Sequence, residues 1–114
     1  MHRARATRRG KARDKMVYVI ATLTIKPEMK ADLFSAAKEC IAATRQEDGC
    51  ISYELFESTT DPNKLVFVEQ WQSLECLPLH SKSDHMKAFG RVAVKCFAAP
   101  VQVQIITPEK VEKR

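Results

Sequence analysis

An α+β fold, an antiparallel sheet carrying helices on one face, is predicted by three features of the chain. Four short runs alternate with period two, as half-buried strands do. Two longer runs place apolar residues at helical spacing. The runs succeed one another as strand, helix, strand, strand, helix, strand, the order of a split βαβ or ferredoxin-like unit, βαββαβ.

The first strand is predicted over Val17 to Ile25. Val17, Val19, Ala21, Leu23 and Ile25 alternate with Tyr18, Ile20, Thr22 and Thr24, and both rows are apolar enough to be covered. Lys26-Pro27-Glu28 breaks the strand, and Pro27 suits the start of a helix. The spacing then predicts a helix from Met29 to Gln46, with Met29, Leu33, Ala37, Cys40, Ile41 and Thr44 on its inner stripe. Glu47-Asp48-Gly49 ends it, Gly49 being suited to the left-handed position after a helix.

Cys50 to Phe56 reads as the second strand, with Ile51, Tyr53 and Leu55 on one face and Ser52, Glu54 and Phe56 on the other. Ser58 to Asn63 is turn chemistry throughout. Leu65 to Trp71 is the third strand, paired with the second as a hairpin. One of its rows is Leu65, Phe67, Glu69 and Trp71; the other is Val66, Val68 and Gln70. Ser73 suits the N-cap of a short helix from Leu74 to His80, which Pro78 keeps short. Ser83-Asp84 caps a second full helix, His85 to Phe97, whose inner stripe is Met86, Phe89, Val92, Ala93 and Cys96. Pro100 stops it, and Val101 to Thr107 is the last strand. The chain thus divides into a basic extension at 1–15, a folded domain at 16–108 and a charged tail at 109–114.

Helices on one side leave Ile20, Phe56, Val66 and Val68 on the other. An apolar patch of that kind calls for a partner, and a second copy packed sheet to sheet, a homodimer, covers it most simply.

The net charge of +5 over 114 residues does not belong to this domain. Arg3, Arg5, Arg8, Arg9, Lys11, Arg13 and Lys15 stand against Asp14 alone, so residues 1–15 carry +6 and the remainder −1. A nucleic-acid-binding domain carries its charge on a folded face, so nucleic acid is disfavoured as a partner. The extension reads as disordered in isolation, with Met16 a second candidate start. Cys40, Cys50, Cys76 and Cys96 share no CxxC spacing. They read as reduced, small hydrophobes rather than as disulfides or zinc ligands. No 18-residue apolar run offers a membrane span, and no secretory core follows the basic start. A cytoplasmic location and no membrane partner are expected.

Gly49-Cys50-x-x-Tyr53, the Asp61-Pro62 turn, Phe67-x-Glu69-x-Trp71-x-Ser73 and His80-x-x-Ser83-x-His85-x-x-x-Phe89 occur in this order. Together they resemble the antibiotic-biosynthesis monooxygenase (ABM) family over residues 16–108. The resemblance implies a ferredoxin-like subunit that pairs into a dimeric α/β barrel, with a pocket in each subunit between sheet and helices. It implies oxidation of phenols, quinols or anthrones by dioxygen with neither metal nor flavin, hence no cofactor. Other members degrade heme or isomerise a phosphosugar. The heme-degrading branch places an Asn on the first strand, where this chain offers Val19, Ala21 and Leu23.

Such an oxidation needs a proton removed, water excluded and a developing anion stabilised. His80 is the leading general acid or base, since imidazole titrates near ~6.5. Glu69, on an inward row, must be paired or must orient the base. Tyr53 offers a phenol hydrogen bond to a substrate oxygen. These three are the catalytic candidates. Trp71, Phe67, His85 and Phe89 are the candidates for binding a small aromatic ligand. A metal site of the two histidines with Glu69 has no recognisable spacing. The alternative function is a dimeric small-molecule-binding or regulatory protein of the same fold without turnover, since the same pocket serves either role.

Overall fold

The computed structural model describes residues 15–114, so the expectations for the basic extension lie almost wholly outside the described residues. Strands β1 (Val17–Thr24), β2 (Cys50–Glu57), β3 (Lys64–Trp71) and β4 (Gln102–Ile106) form one sheet in the order β2-β3-β1-β4. Every neighbouring pair is antiparallel. Helices α1 (Lys30–Thr44), α2 (Cys76–Ser81) and α3 (Asp84–Cys96) complete the ferredoxin-like order that the sequence predicts.

The core lies between one sheet face and the two long helices. β1 presents Val17, Val19, Ala21 and Leu23 to it, β3 presents Leu65, Phe67, Glu69 and Trp71, and β2 contributes Tyr53. From the helix side come Leu33, Ala37 and Cys40 of α1 and Phe89, Ala93 and Cys96 of α3. At about 25 cal/mol per Å² of apolar surface removed from water, this layer is the main source of stability. On the opposite face Phe56 is 52% exposed and Val68 and Ile106 are also exposed, so the outer patch read from the sequence is open in the single chain. Among the described residues no helix is long and apolar enough to cross a membrane.

Several boundaries differ from the sequence reading. A 3-10 turn at Pro27–Met29 precedes α1. The short helix begins two residues late, at Cys76, and β4 is shorter than the run that announces it. The larger difference is Ile51, expected on the inner row of β2. The register slips between Cys50 and Ser52, because Cys50 pairs with Trp71 while Ser52 already pairs with Gln70. Ile51 is the extra residue of a β-bulge and is 48% exposed. The bulge inverts the alternation once, so Cys50 joins Tyr53 and Leu55 on the helix side.

Gly49 governs the turn between α1 and β2. It is buried and holds φ at +87°, a region that favours glycine. A Cβ there would lie 2.4 Å from Cys76 Sγ. The Gly49 carbonyl accepts from the Gln72 amide at 2.8 Å, fixing the turn to the end of β3. Gly49→Ala is therefore expected to cost about 1–3 kcal/mol in denaturant unfolding. Cys76→Ala in the same chain should recover the part due to the sulfur collision. An unchanged unfolding midpoint in Gly49→Ala would show that neither constraint acts.

Candidate functional site

A cavity of about 370 Å³ lies between the inner sheet face and helices α2 and α3. Its floor and walls are apolar apart from a few groups, and Tyr53, Phe67, Glu69, His80, Met86 and Phe89 define its chemistry. Val103 and Ile105 of β4 close one side. They are 58% and 54% exposed, so the cavity opens along the β4 edge. Of the residues that the sequence singles out, Tyr53, Phe67, Glu69, His80 and Phe89 line it. Trp71 and His85 do not.

His80 lies in the last turn of α2 and is only 6% exposed. Its ring lies against Trp71, with centroids 4.8 Å apart, and edge-on to Tyr53 at 5.3 Å. Trp71 is fully buried behind it, and the Trp71 indole N–H donates to Glu69 Oε1 at 2.9 Å. That bond satisfies the inward carboxylate on its own strand. His85 faces elsewhere, into an open groove between α1 and α3 shared with Asp32, Glu39 and Lys95.

The residue that sequence reasoning missed is Glu47, read there only as part of a helix stop. Its Oε2 lies 2.8 Å from His80 Nδ1 and 2.6 Å from His85 Nε2. Sequence separations of 33 and 38 residues carry no motif. The nearest signal is that this carboxylate stands two residues before a turn glycine. The turn is anchored by the Cys50 amide donating to the Glu47 carbonyl and by Arg45 Nε donating to the Tyr53 carbonyl. Ser83 places the two histidines. Its hydroxyl donates to the His80 carbonyl at 2.7 Å and accepts from the Met86 amide at the start of α3.

The acceptors assign the tautomers. A carboxylate only accepts, so the protons sit on His80 Nδ1 and His85 Nε2. The Ser83 oxygen, 3.2 Å from His85 Nε2, is a second acceptor there. Neutral His80 is then bare at Nε2, and among the described residues nothing hydrogen-bonds to that atom. Burial raises the Tyr53 phenol above its ordinary range, with the Glu69 charge adding to the effect. The hydroxyl stays protonated and can donate. Burial also raises Glu69, opposed by the Trp71 hydrogen bond and, when the ring is protonated, by the His80 charge. As for metals, the donor atoms of Glu47, His80 and His85 all lie within 4.8 Å of one another. Glu47, not Glu69, thus completes that set.

Residues 16–92 match the family model described as antibiotic biosynthesis monooxygenase. The chain belongs to the antibiotic biosynthesis monooxygenase family. It is similar to "Putative monooxygenase Rv0793" of Mycobacterium tuberculosis, at 34% identity over 92 residues, covering 81% of this chain and 90% of that one. The solved structure of Rv0793 superposes with a TM-score of 0.80 over 86% of this chain and 99% of its own. "Probable quinol monooxygenase YgiN" of Escherichia coli is 30% identical over 105 residues, covering 82% of this chain and 98% of that one. "Uncharacterized protein sll1783" of Synechocystis is 27% identical over 95 residues, covering 83% of this chain. The chain spans 65% of the length of that Synechocystis relative. The ABM resemblance and its ferredoxin-like fold are therefore established for this chain.

Burial of Glu69 yields a stability prediction. A carboxyl whose folded pKa is raised favours the folded state while it is protonated. Its contribution is full below the ordinary carboxylate range, near ~4.3, and is lost as pH rises through the raised value. Glu69→Gln keeps an acceptor for Trp71 and removes the charge. Its unfolding temperature relative to the parent should thus be higher by a few degrees at neutral pH than at pH ~4. Equal differences at both pH values would contradict this account.

Proposed function

We propose that this ABM chain is a cofactor-independent monooxygenase for a small phenol, quinol or anthrone. The observation that carries the reading is His80. It is held through Nδ1 by Glu47 and bare at Nε2, and it lines a largely apolar cavity that also presents a phenol donor. A volume of about 370 Å³ is at the small end of ligand sites and suits a compact aromatic.

The substrate supplies the electrons. His80 Nε2 takes the proton of the substrate hydroxyl or activated methylene, leaving an electron-rich anion that reduces dioxygen directly. Protonated His80 is stabilised by Glu47, to which it still donates, and by the charge of Glu69. The Tyr53 hydroxyl donates to the substrate oxygen as negative charge develops. Apolar walls exclude water from the anion. Overall, an anthrone methylene and one dioxygen yield a carbonyl and one water, with one oxygen atom in each product. Phe67 and Phe89, whose rings pack edge to face at 5.8 Å, stack against the aromatic skeleton. Glu69 acts on His80 by charge rather than by contact with substrate. In this reading Trp71 supports the His80 ring from behind, and His85 acts through Glu47 rather than on the ligand.

A homodimer through the outer sheet face belongs to the same proposal. Exposed Phe56, Val68 and Ile106, beside half-buried Ile20 and Val66, form the patch that a second copy would cover. The binding-only alternative uses the same cavity and differs only in lacking turnover.

Three measurements decide among these. Protein freed of metal and flavin should consume one dioxygen per anthrone, and His80→Ala should lower the rate by about a hundredfold or more. No dioxygen consumption with bound aromatic would leave the binding-only function, and full activity in His80→Ala would remove the base. Light scattering should give twice 12.9 kDa, and Val68→Lys should give monomer. A monomeric parent at micromolar concentration would refute the dimer.

A further inference from the structure

We propose that Glu47, His80 and His85 form a binding site for a divalent transition-metal ion, Zn²⁺ foremost. The three donors come from separate segments, the turn after α1, the end of α2 and the start of α3, yet their ligand atoms lie within 4.8 Å of one another. Two imidazoles and one carboxylate are a donor set that borderline divalent ions accept in four-coordinate geometry, with a position left for water.

The surroundings fit. Side-chain exposures of 8% for His80, 16% for Glu47 and 24% for His85 describe a site shielded from bulk water but reachable from one side. That side is the groove between α1 and α3, which His85 lines. Among the described residues no Lys or Arg pairs with Glu47; its partners are the two imidazoles. With both rings neutral the cluster carries one negative charge and no fixed cation. The fold holds the donors in place without a metal, through Ser83 and the Gly49 turn, so little ordering cost attends binding.

With bonds of about 2.0–2.1 Å, two ligands of a tetrahedral Zn²⁺ stand about 3.3 Å apart. The nitrogen–oxygen separations here are 2.8 and 2.6 Å, so each of those pairs must part by well under an ångström, while the two histidine nitrogens, within 4.8 Å of one another, must draw together by up to about 1.5 Å. No proton leaves the protein. Each neutral imidazole moves its proton to the other ring nitrogen, from Nδ1 to Nε2 in His80 and from Nε2 to Nδ1 in His85. This exchange has a chemical consequence. A metal on His80 Nδ1 leaves Nε2 protonated, a donor where the base needs an acceptor. Metal occupancy and proton abstraction by His80 therefore exclude one another. Only this last consequence rests on the proposed function; the metal site does not.

The test is titration of the full chain with Co²⁺ alone, followed by visible absorption, then displacement by Zn²⁺. One Co²⁺ per chain should give the d–d bands of a four-coordinate nitrogen and oxygen site. His85→Ala and Glu47→Gln should each weaken binding by about ten- to a hundredfold. Zn²⁺ should raise the unfolding temperature of the parent but not of His85→Ala, whose own unfolding curve without metal reports whether it folds. Glu47→Gln serves as the second variant if it does not. Absence of d–d bands, a thiolate-to-cobalt charge-transfer band, or parent-like affinity in both variants would overturn the site. Anthrone oxidation measured alongside should fall as Zn²⁺ occupancy rises. Full oxidation at full occupancy would overturn the exclusion while leaving the site, and absent oxidation without metal would instead refute the oxygenase reading.

Discussion

One carboxylate oxygen, Oε2 of Glu47, holds the functional half of this domain together. It accepts from His80 and from His85, and so joins the turn after α1 to both sides of the α2–α3 junction. Hydrogen bonds to a charged group are worth about 1.5–3 kcal/mol each, and a buried charge left without them costs more. The carboxylate is half-buried, so losing either histidine penalises the other two groups. That mutual dependence makes the position of the His80 ring a property of three segments, not of the short helix that carries it. α2 has only six residues and no side-chain cap, and alone it would fix nothing.

The rest of the architecture serves this junction. Gly49 lets the chain turn sharply enough to present Glu47 inward, and its carbonyl ties the turn to the end of β3 beside Trp71. The bulge at Ile51 then returns Tyr53 to the helix side, where its ring meets Phe67, Trp71 and His80. Without the extra residue, strict alternation from Cys50 would send Tyr53 to the outer face. The bulge is therefore what puts the phenol into the cavity.

Most of the fold was legible because it is written in local period. Alternation in β1 and β3 and helical spacing in α1 and α3 need no information beyond a dozen residues. The inward row of β3 could be read directly, including the uncomfortable Glu69, which the structure pairs with Trp71 two residues away. Two things were not legible. The bulge depends on pairing with another strand, so Ile51 looked inward by parity alone. Glu47 depends on the meeting of segments more than 30 residues apart, and in sequence it is the first of two acidic residues before a glycine. His85 reads as a ligand-binding candidate because it lies in one motif with His80. Near the start of α3 it lines the α1–α3 groove instead, and the two imidazoles, 6.2 Å apart between ring centroids, share the Glu47 carboxylate.

The cavity contains few polar groups, and their environments separate their roles. Tyr53 is kept protonated by burial and by the Glu69 charge, so it can donate but not take a proton. Glu69 is engaged by the Trp71 indole, and its charge acts on His80 across the cavity wall. Met86 and the phenylalanines offer only surface. In the proposed reaction, proton acceptance therefore falls to His80, whose free nitrogen is determined by what Glu47 does to the other one. In that reading the chemistry is set from outside the cavity, by a carboxylate that does not line it. On the proposed reading, whatever occupies the Glu47 carboxylate, an imidazole proton or a cation, decides whether the other ring nitrogen of His80 can accept a proton.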